Sequence, residues 1–147
     1  DGISGGAGKD ADYLLLEPRI EYAGRRYAVG WERLGAGNGR VFQTPLATLH
    51  AFNGWADVFL TTPAGGLEDL YASAQGKWRL AGRKGKLQLA WHHFSAERGG
   101  DYGREWNASL GLAFLPGWNA LVKLADDRAS GFGNDTTKLW LQLQWSH

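Results

Sequence analysis

The chain lacks cysteine and methionine altogether, has four prolines in 147 residues, and sets 16 Lys and Arg against 15 Asp and Glu. Without cysteine, neither a disulfide frame nor a thiolate-ligated metal site is available. The near-cancelling charge offers no basic footprint for nucleic acid, which is excluded as a partner. No apolar run approaches the ~18 residues that a membrane-crossing helix needs. No apolar signal segment precedes Asp1 either, so the sequence reads as a processed form or a piece of a longer protein.

Glycine and aromatic residues are plentiful instead: 22 Gly, eight Trp, five Tyr and six Phe. A chain of this kind can cross a bilayer only as strands. Hydrocarbon offers no partner to a free N–H or C=O, so such strands must close into a barrel.

Period-2 alternation runs through most of the sequence, the signature of a strand with one apolar face. Leu70, Ala72, Ala74, Trp78 and Leu80 alternate with Tyr71, Ser73, Gln75, Lys77 and Arg79. Trp106, Ala108, Leu110, Leu112 and Phe114 oppose Glu105, Asn107, Ser109 and Gly111, and Leu139, Leu141, Leu143 and Trp145 oppose Lys138, Trp140, Gln142 and Gln144. The same pattern predicts seven strands, at about 13–22, 26–35, 68–80, 84–95, 104–115, 118–127 and 136–146. Each has the length of a tilted transmembrane strand.

A soluble sandwich alternates too, so two further features decide. Trp31, Trp78, Trp91, Trp106, Trp118 and Trp145 all fall on the apolar parity, mostly near strand ends. Membrane barrels carry aromatic girdles at those levels. The connections also alternate in length. Those at 23–25, 81–83 and 116–117 are tight, whereas those at about 36–67, 96–103 and 128–135 are longer and richer in Gly, Asp and Asn. Short periplasmic turns and long extracellular loops give this rhythm. The expected fold is therefore all-β, an antiparallel transmembrane barrel in the bacterial outer membrane. Seven is odd, and single-chain bacterial barrels have even strand numbers. Residues 1–12 read as a loop, so the chain is expected to be the C-terminal part of a larger barrel. Its open edges then pair with missing N-terminal strands or with another chain.

The most distinctive text is Phe42-Gln43-Thr44-Pro45-Leu46-Ala47-Thr48-Leu49-His50-Ala51-Phe52-Asn53-Gly54-Trp55-Ala56-Asp57, followed by Phe59-Leu60-Thr61-Thr62-Pro63 and Gly66-Leu67-Glu68-Asp69-Leu70-Tyr71. Trp91-His92-His93-Phe94, Tyr102-Gly103-Arg104-Glu105-Trp106 and Asp135-Thr136-Thr137-Lys138-Leu139-Trp140-Leu141-Gln142-Leu143 come after it in order. Over about residues 13–147 the chain resembles the C-terminal part of the alginate-export family of outer-membrane porins. It departs from such barrels in ending Trp145-Ser146-His147, where they usually end in an aromatic residue. The resemblance implies a channel for an anionic uronate polysaccharide or its oligomers, with uptake of small solutes as the alternative.

Parity puts Arg19, Arg26, Lys77, Arg79, Lys86, Lys123 and Lys138 on the polar side, with Glu17, Glu21, Glu32 and Glu105. A pore wall with basic excess favours anions, and guanidinium grips carboxylates through paired hydrogen bonds. The bland alternative is that these charges pair with the glutamates across strands. The 36–67 segment is long enough to fold inward or cap the pore. Its His50, Trp55 and Asp57 are constriction candidates, and Leu49–Leu60 is a candidate short helix.

Other motifs carry less. His92 and His93 are adjacent, so in a strand they face opposite ways and cannot share a metal. Asp126, Asp127, Asn134 and Asp135 lack the ligand spacing of a calcium loop. No metal, cofactor or catalytic residue is predicted. An outer-membrane enzyme is a second class of function, since Ser95 and His93 share a face, but the apolar one and without evident oxyanion donors. A soluble ligand-binding barrel with its apolar face inward is a third.

Overall fold

A strand sends successive side chains to opposite faces, and a computed structural model, describing residues 12–37, 40–41, 53–80 and 82–146, realises this alternation in ten strands. β1 (Tyr13–Leu16) and β2 (Arg19–Tyr22) are two halves of one ribbon, because both pair antiparallel with β3 (Arg25–Leu34). Pro18 interrupts that ribbon. It has no N–H for the ladder, yet its carbonyl accepts from the Val29 N–H at 3.2 Å. The ribbon is an edge of the sheet, where proline is tolerated.

β4 (Ala36–Gly37) and β5 (Arg40–Val41) form a small separate pair inside what the sequence presents as loop. The remaining strands are β6 (Leu67–Leu80), β7 (Arg83–Ser95), β8 (Asp101–Leu115), β9 (Trp118–Ala129) and β10 (Thr136–Trp145). They extend the sheet in the order β3-β6-β7-β8-β9-β10, every neighbouring pair antiparallel. Counting β1 and β2 separately, the sheet has eight strands; counting their shared ribbon once gives the seven segments read from the sequence. The fold is all-β, with no helix among the described residues. The sheet is open: β1 and β2 lie along one edge and β10 forms the other.

The tight links follow from turn chemistry. Ala23 and Gly24 both have positive φ (50° and 71°), as a two-residue turn matched to strand twist requires. Pro116-Gly117 joins β8 to β9 with Gly117 at φ 75°, and the register shifts between Ala113 and Leu115 just before it. β8 starts three residues earlier than the alternation suggests and β9 ends two later. There the ladder is continued by polar residues: the Asp101 carboxylate takes the Gly103 N–H at 2.9 Å, and the Ser130 N–H reaches the Tyr102 carbonyl at 3.1 Å.

One face of the sheet is apolar and uncovered. Across its middle, Leu87, Leu110, Val122 and Leu141 stand in one cross-strand row, between 39% and 74% exposed. The six indoles predicted on this parity are all on it. Trp91 meets Trp106 at 6.5 Å toward the long loops, and Trp118 meets Trp145 and Phe114, each at 6.4 Å, toward the tight turns. The opposite face carries the charges, and the buried hydrophobic clusters lie there too. Leu34, Leu67 and Phe94 pack with Phe59, and Ala125 packs with Trp55 and Ala56.

Candidate functional site

The site is built where residues 53–62 dock onto the charged face. Expectation and structure part here over the local fold: the described part of Leu49–Leu60 is a chain of turns, not a helix. Positive φ at Asn53 (55°), Gly54 (82°) and Asp57 (57°) breaks the right-handed path. Gly54 is required twice over, since a Cβ there would also collide with the Glu105 carboxylate.

Glu105, fully buried on β8, holds the loop by its main chain. Its Oε1 accepts the N–H of Trp55 at 2.5 Å and of Ala56 at 2.8 Å. Around this clasp, Phe59 packs on Phe94 with ring centres 4.6 Å apart and on Phe132 at 5.4 Å. Burying a side chain of this size stabilises by roughly 1.5–3 kcal/mol. The Lys138 ammonium pairs with Asp57 at 3.0 Å, and the Lys123 ammonium sits 4.4 Å above the Trp55 ring and 5.3 Å from that of Trp140. A cation over an indole contributes about 0.5–2 kcal/mol, more as water is excluded.

Charge is segregated along the strands of this face. Toward the long loops lie Glu32, Asp69, Glu105 and Asp127, all buried. Register sets Glu32 opposite Asp69, His92 opposite Glu105, and Glu105 opposite Asp127. Asp69 is held by His92 Nδ1 at 2.9 Å. Toward the tight turns lie Lys77, Arg79, Lys84 and Lys86, all exposed, and register sets Lys77 opposite Lys86 and Arg79 opposite Lys84. Like charges placed directly opposite repel, and these four have no ion pair among the described residues. Lys77, Lys84 and Lys86 border a hollow of about 460 Å³ whose other polar walls are Asn119, Gln142 and Gln144.

All eleven charged residues singled out from the sequence lie on this one face, but in different settings. Glu17 bonds Arg19 and the Tyr71 hydroxyl, and Arg26 bonds Glu21 at 2.9 Å. The Arg26–Glu21 pair crosses from β3 to β2 as cross-strand compensation requires, whereas Glu17 and Arg19 are two residues apart on one ribbon. Lys77, Arg79 and Lys86 are not compensated across strands, because their partners there are other cations or glycine. Glu32 and Glu105 are buried beside other carboxylates, and Lys123 and Lys138 hold the loop. Of the three constriction candidates, Trp55 and Asp57 are in the docked loop, and His50 lies outside the described residues.

Several participants carry no mark in the sequence. Lys84 lies at the margin of its predicted strand, while Asp69, Asn107 and Asp127 show the right parity but nothing that announces burial. His92 and His93 do face opposite ways: His92 bonds Asp69, and His93 stacks on Trp91 and reaches Asp101 at 3.3 Å. Asp126 and Asp127 are likewise on opposite faces, and Asp126 and Asp135 both engage Arg128. Among the described residues no three His, Asp or Glu side chains converge as a metal site. Comparison with family models, with curated proteins and with solved structures finds no match to the chain.

Proposed function

We propose that this chain is a stretch of the wall of an outer-membrane pore that passes anionic solutes. One observation carries the reading: the loop packs on the charged face, while the apolar face of every long ribbon is left bare. In water the reverse packing is favoured, since burial of apolar surface is the main driving force. Continuous bare apolar surface of this extent marks contact with lipid or a partner.

The dimensions agree with lipid. On β3 the apolar face is bracketed by Arg25 and Arg33, with Tyr27, Val29 and Trp31 between them. At ~3.3 Å per residue that is about 26 Å along the strand. A tilt of about 40° brings it to roughly 20 Å of height, near the ~25 Å apolar band of such barrels. Aromatic rings lie at both of its levels, as girdles do. The unpaired edges β1, β2 and β10 belong, in this reading, next to further strands of a closed barrel, from the same protein or a neighbouring chain.

The solute class is supported by the four turn-end cations. With no ion pair to a carboxylate among the described residues, they raise the local anion concentration in a narrow passage. A uronate polysaccharide or its oligomers is the substrate implied by the sequence resemblance; a general small-solute porin fits the same charges. No catalytic role is assigned: Ser95 and His93 share the bare apolar face, where His93 is engaged by Trp91 and Asp101. A soluble barrel with its apolar side inward is disfavoured by the same docked loop.

The test is tryptophan fluorescence in vesicles of brominated phosphatidylcholine. Quenching well beyond that in unbrominated vesicles is expected, because six indoles would touch acyl chains. Equal emission in both lipids refutes the assignment.

A further inference from the structure

Between the docked loop and the acidic end of the charged face lies a cavity of about 260 Å³. It is far larger than the ~10–15 Å³ that admits a single water. Glu17, Glu32 and Asp69 line it from the sheet and Asn53 from the loop. Two of their oxygens are buried without a hydrogen-bond partner, Glu32 Oε1 on a residue 2% exposed and Asn53 Oδ1 on one 6% exposed. Buried polar atoms left unpaired in this way call for a partner that the protein itself does not supply.

The missing partner has a definable chemistry. Both orphan atoms are acceptors, so it donates hydrogen bonds. Glu32 and Asp69 stand directly opposite each other on neighbouring strands, an arrangement that repels unless a cation intervenes. Arg19 is taken by Glu17 and His92 by Asp69, and the Tyr13 hydroxyl bonds Glu32, so no cation among the described residues is paired directly with Glu32. Water would satisfy the acceptors but not the charge. No three acidic or histidine side chains among the described residues converge as metal ligands. The remaining walls include Leu15, Trp55 and Ala90, which suit a short hydrocarbon stem. We infer that this cavity binds a small organic ammonium ion, its head on Glu32 and Asn53 and its alkyl part against Trp55.

This inference goes beyond the pore reading and stands apart from it. It needs the docked loop, not the bilayer, so lipid quenching and ligand binding can fail separately.

The experiment titrates n-butylammonium chloride, and separately 1-butanol as the uncharged isostere, into the purified full chain in detergent micelles. Binding is read from the Trp55 indole and Asn53 side-chain amide NMR resonances. Saturable shifts are expected with n-butylammonium and none with butanol. Glu32→Gln and, independently, Asn53→Ala are expected to weaken binding at least tenfold. Absence of saturation with the wild-type chain, equal response to butanol, or unchanged affinity in a folded Glu32→Gln chain overturns the proposal. The wild-type comparison decides even where a variant fails to fold.

Discussion

Leu110 gives the sharpest test of which surroundings the apolar face was built for. It lies on β8 four positions from Trp106, in one row with Leu87, Val122 and Leu141, and is 41% exposed. Four residues at ~3.3 Å put it about 13 Å along the strand from that indole. After tilt this is roughly 10 Å in depth, near the middle of a ~25 Å apolar band. A guanidinium at that depth costs about 2–4 kcal/mol, falling to ~0–1 near the headgroups. In water the same exchange at an exposed site stays within about 0.5 kcal/mol. Leu110→Arg is therefore expected to shift the folding equilibrium in phospholipid vesicles by roughly 30- to 700-fold, at ~1.4 kcal/mol per decade. Thr137→Arg, on the same face beside Asp126 at the loop-end rim, is expected to cost under ~1 kcal/mol. Urea titration in vesicles, followed by the electrophoretic shift between folded and unfolded forms, measures both. Equal costs for the two variants, or a Leu110→Arg cost within about 0.5 kcal/mol of zero, would refute the bilayer argument.

Two further outcomes follow from the charged face. Glu105→Ala leaves two buried loop N–H groups without their acceptor, at about 1–3 kcal/mol; amide exchange at Trp55 and Ala56 should quicken by about 5- to 150-fold, and unchanged protection would show that the clasp does not hold the loop. In planar bilayers, Lys77→Gln with Arg79→Gln in the proposed pore should move the reversal potential toward cations, because these side chains have no ion-paired carboxylate among the described residues to release; no movement would remove anion selectivity from this patch.

The strand order and the two faces were readable because strand parity is written residue by residue. Leu139 to Trp145 and Trp106 to Phe114 alternate so regularly that the observed register adds little to the face assignment. What parity cannot express is cover. Asp69, Asn107 and Asp127 look like any solvated polar position, and only the loop folded over them makes them buried. The helix expected over Leu49–Leu60 is absent from its described part, where the Asn53-Gly54 dipeptide is itself a turn signal. The cross-strand pairing of Lys77 with Lys86 was hidden for another reason. Parity gives a side chain's face, while its partner depends on the offset between β6 and β7, which the pairing of Leu80 with Arg83 sets. The acidic and basic ends, in contrast, follow from position along each strand, and could have been sorted once the turn ends were known.

The Glu105 clasp grips peptide N–H groups, and every residue but proline offers one. The two hydrogen bonds are thus blind to which side chains stand at positions 55 and 56, although both side chains pack against Ala125. Replacement of Trp55 would change the packing beside Ala125 and the perch of the Lys123 ammonium while the two backbone bonds stay in place. A tether of that kind separates the anchoring of a loop from the identity of its side chains, whereas Gly54 leaves no room for a Cβ beside the Glu105 carboxylate.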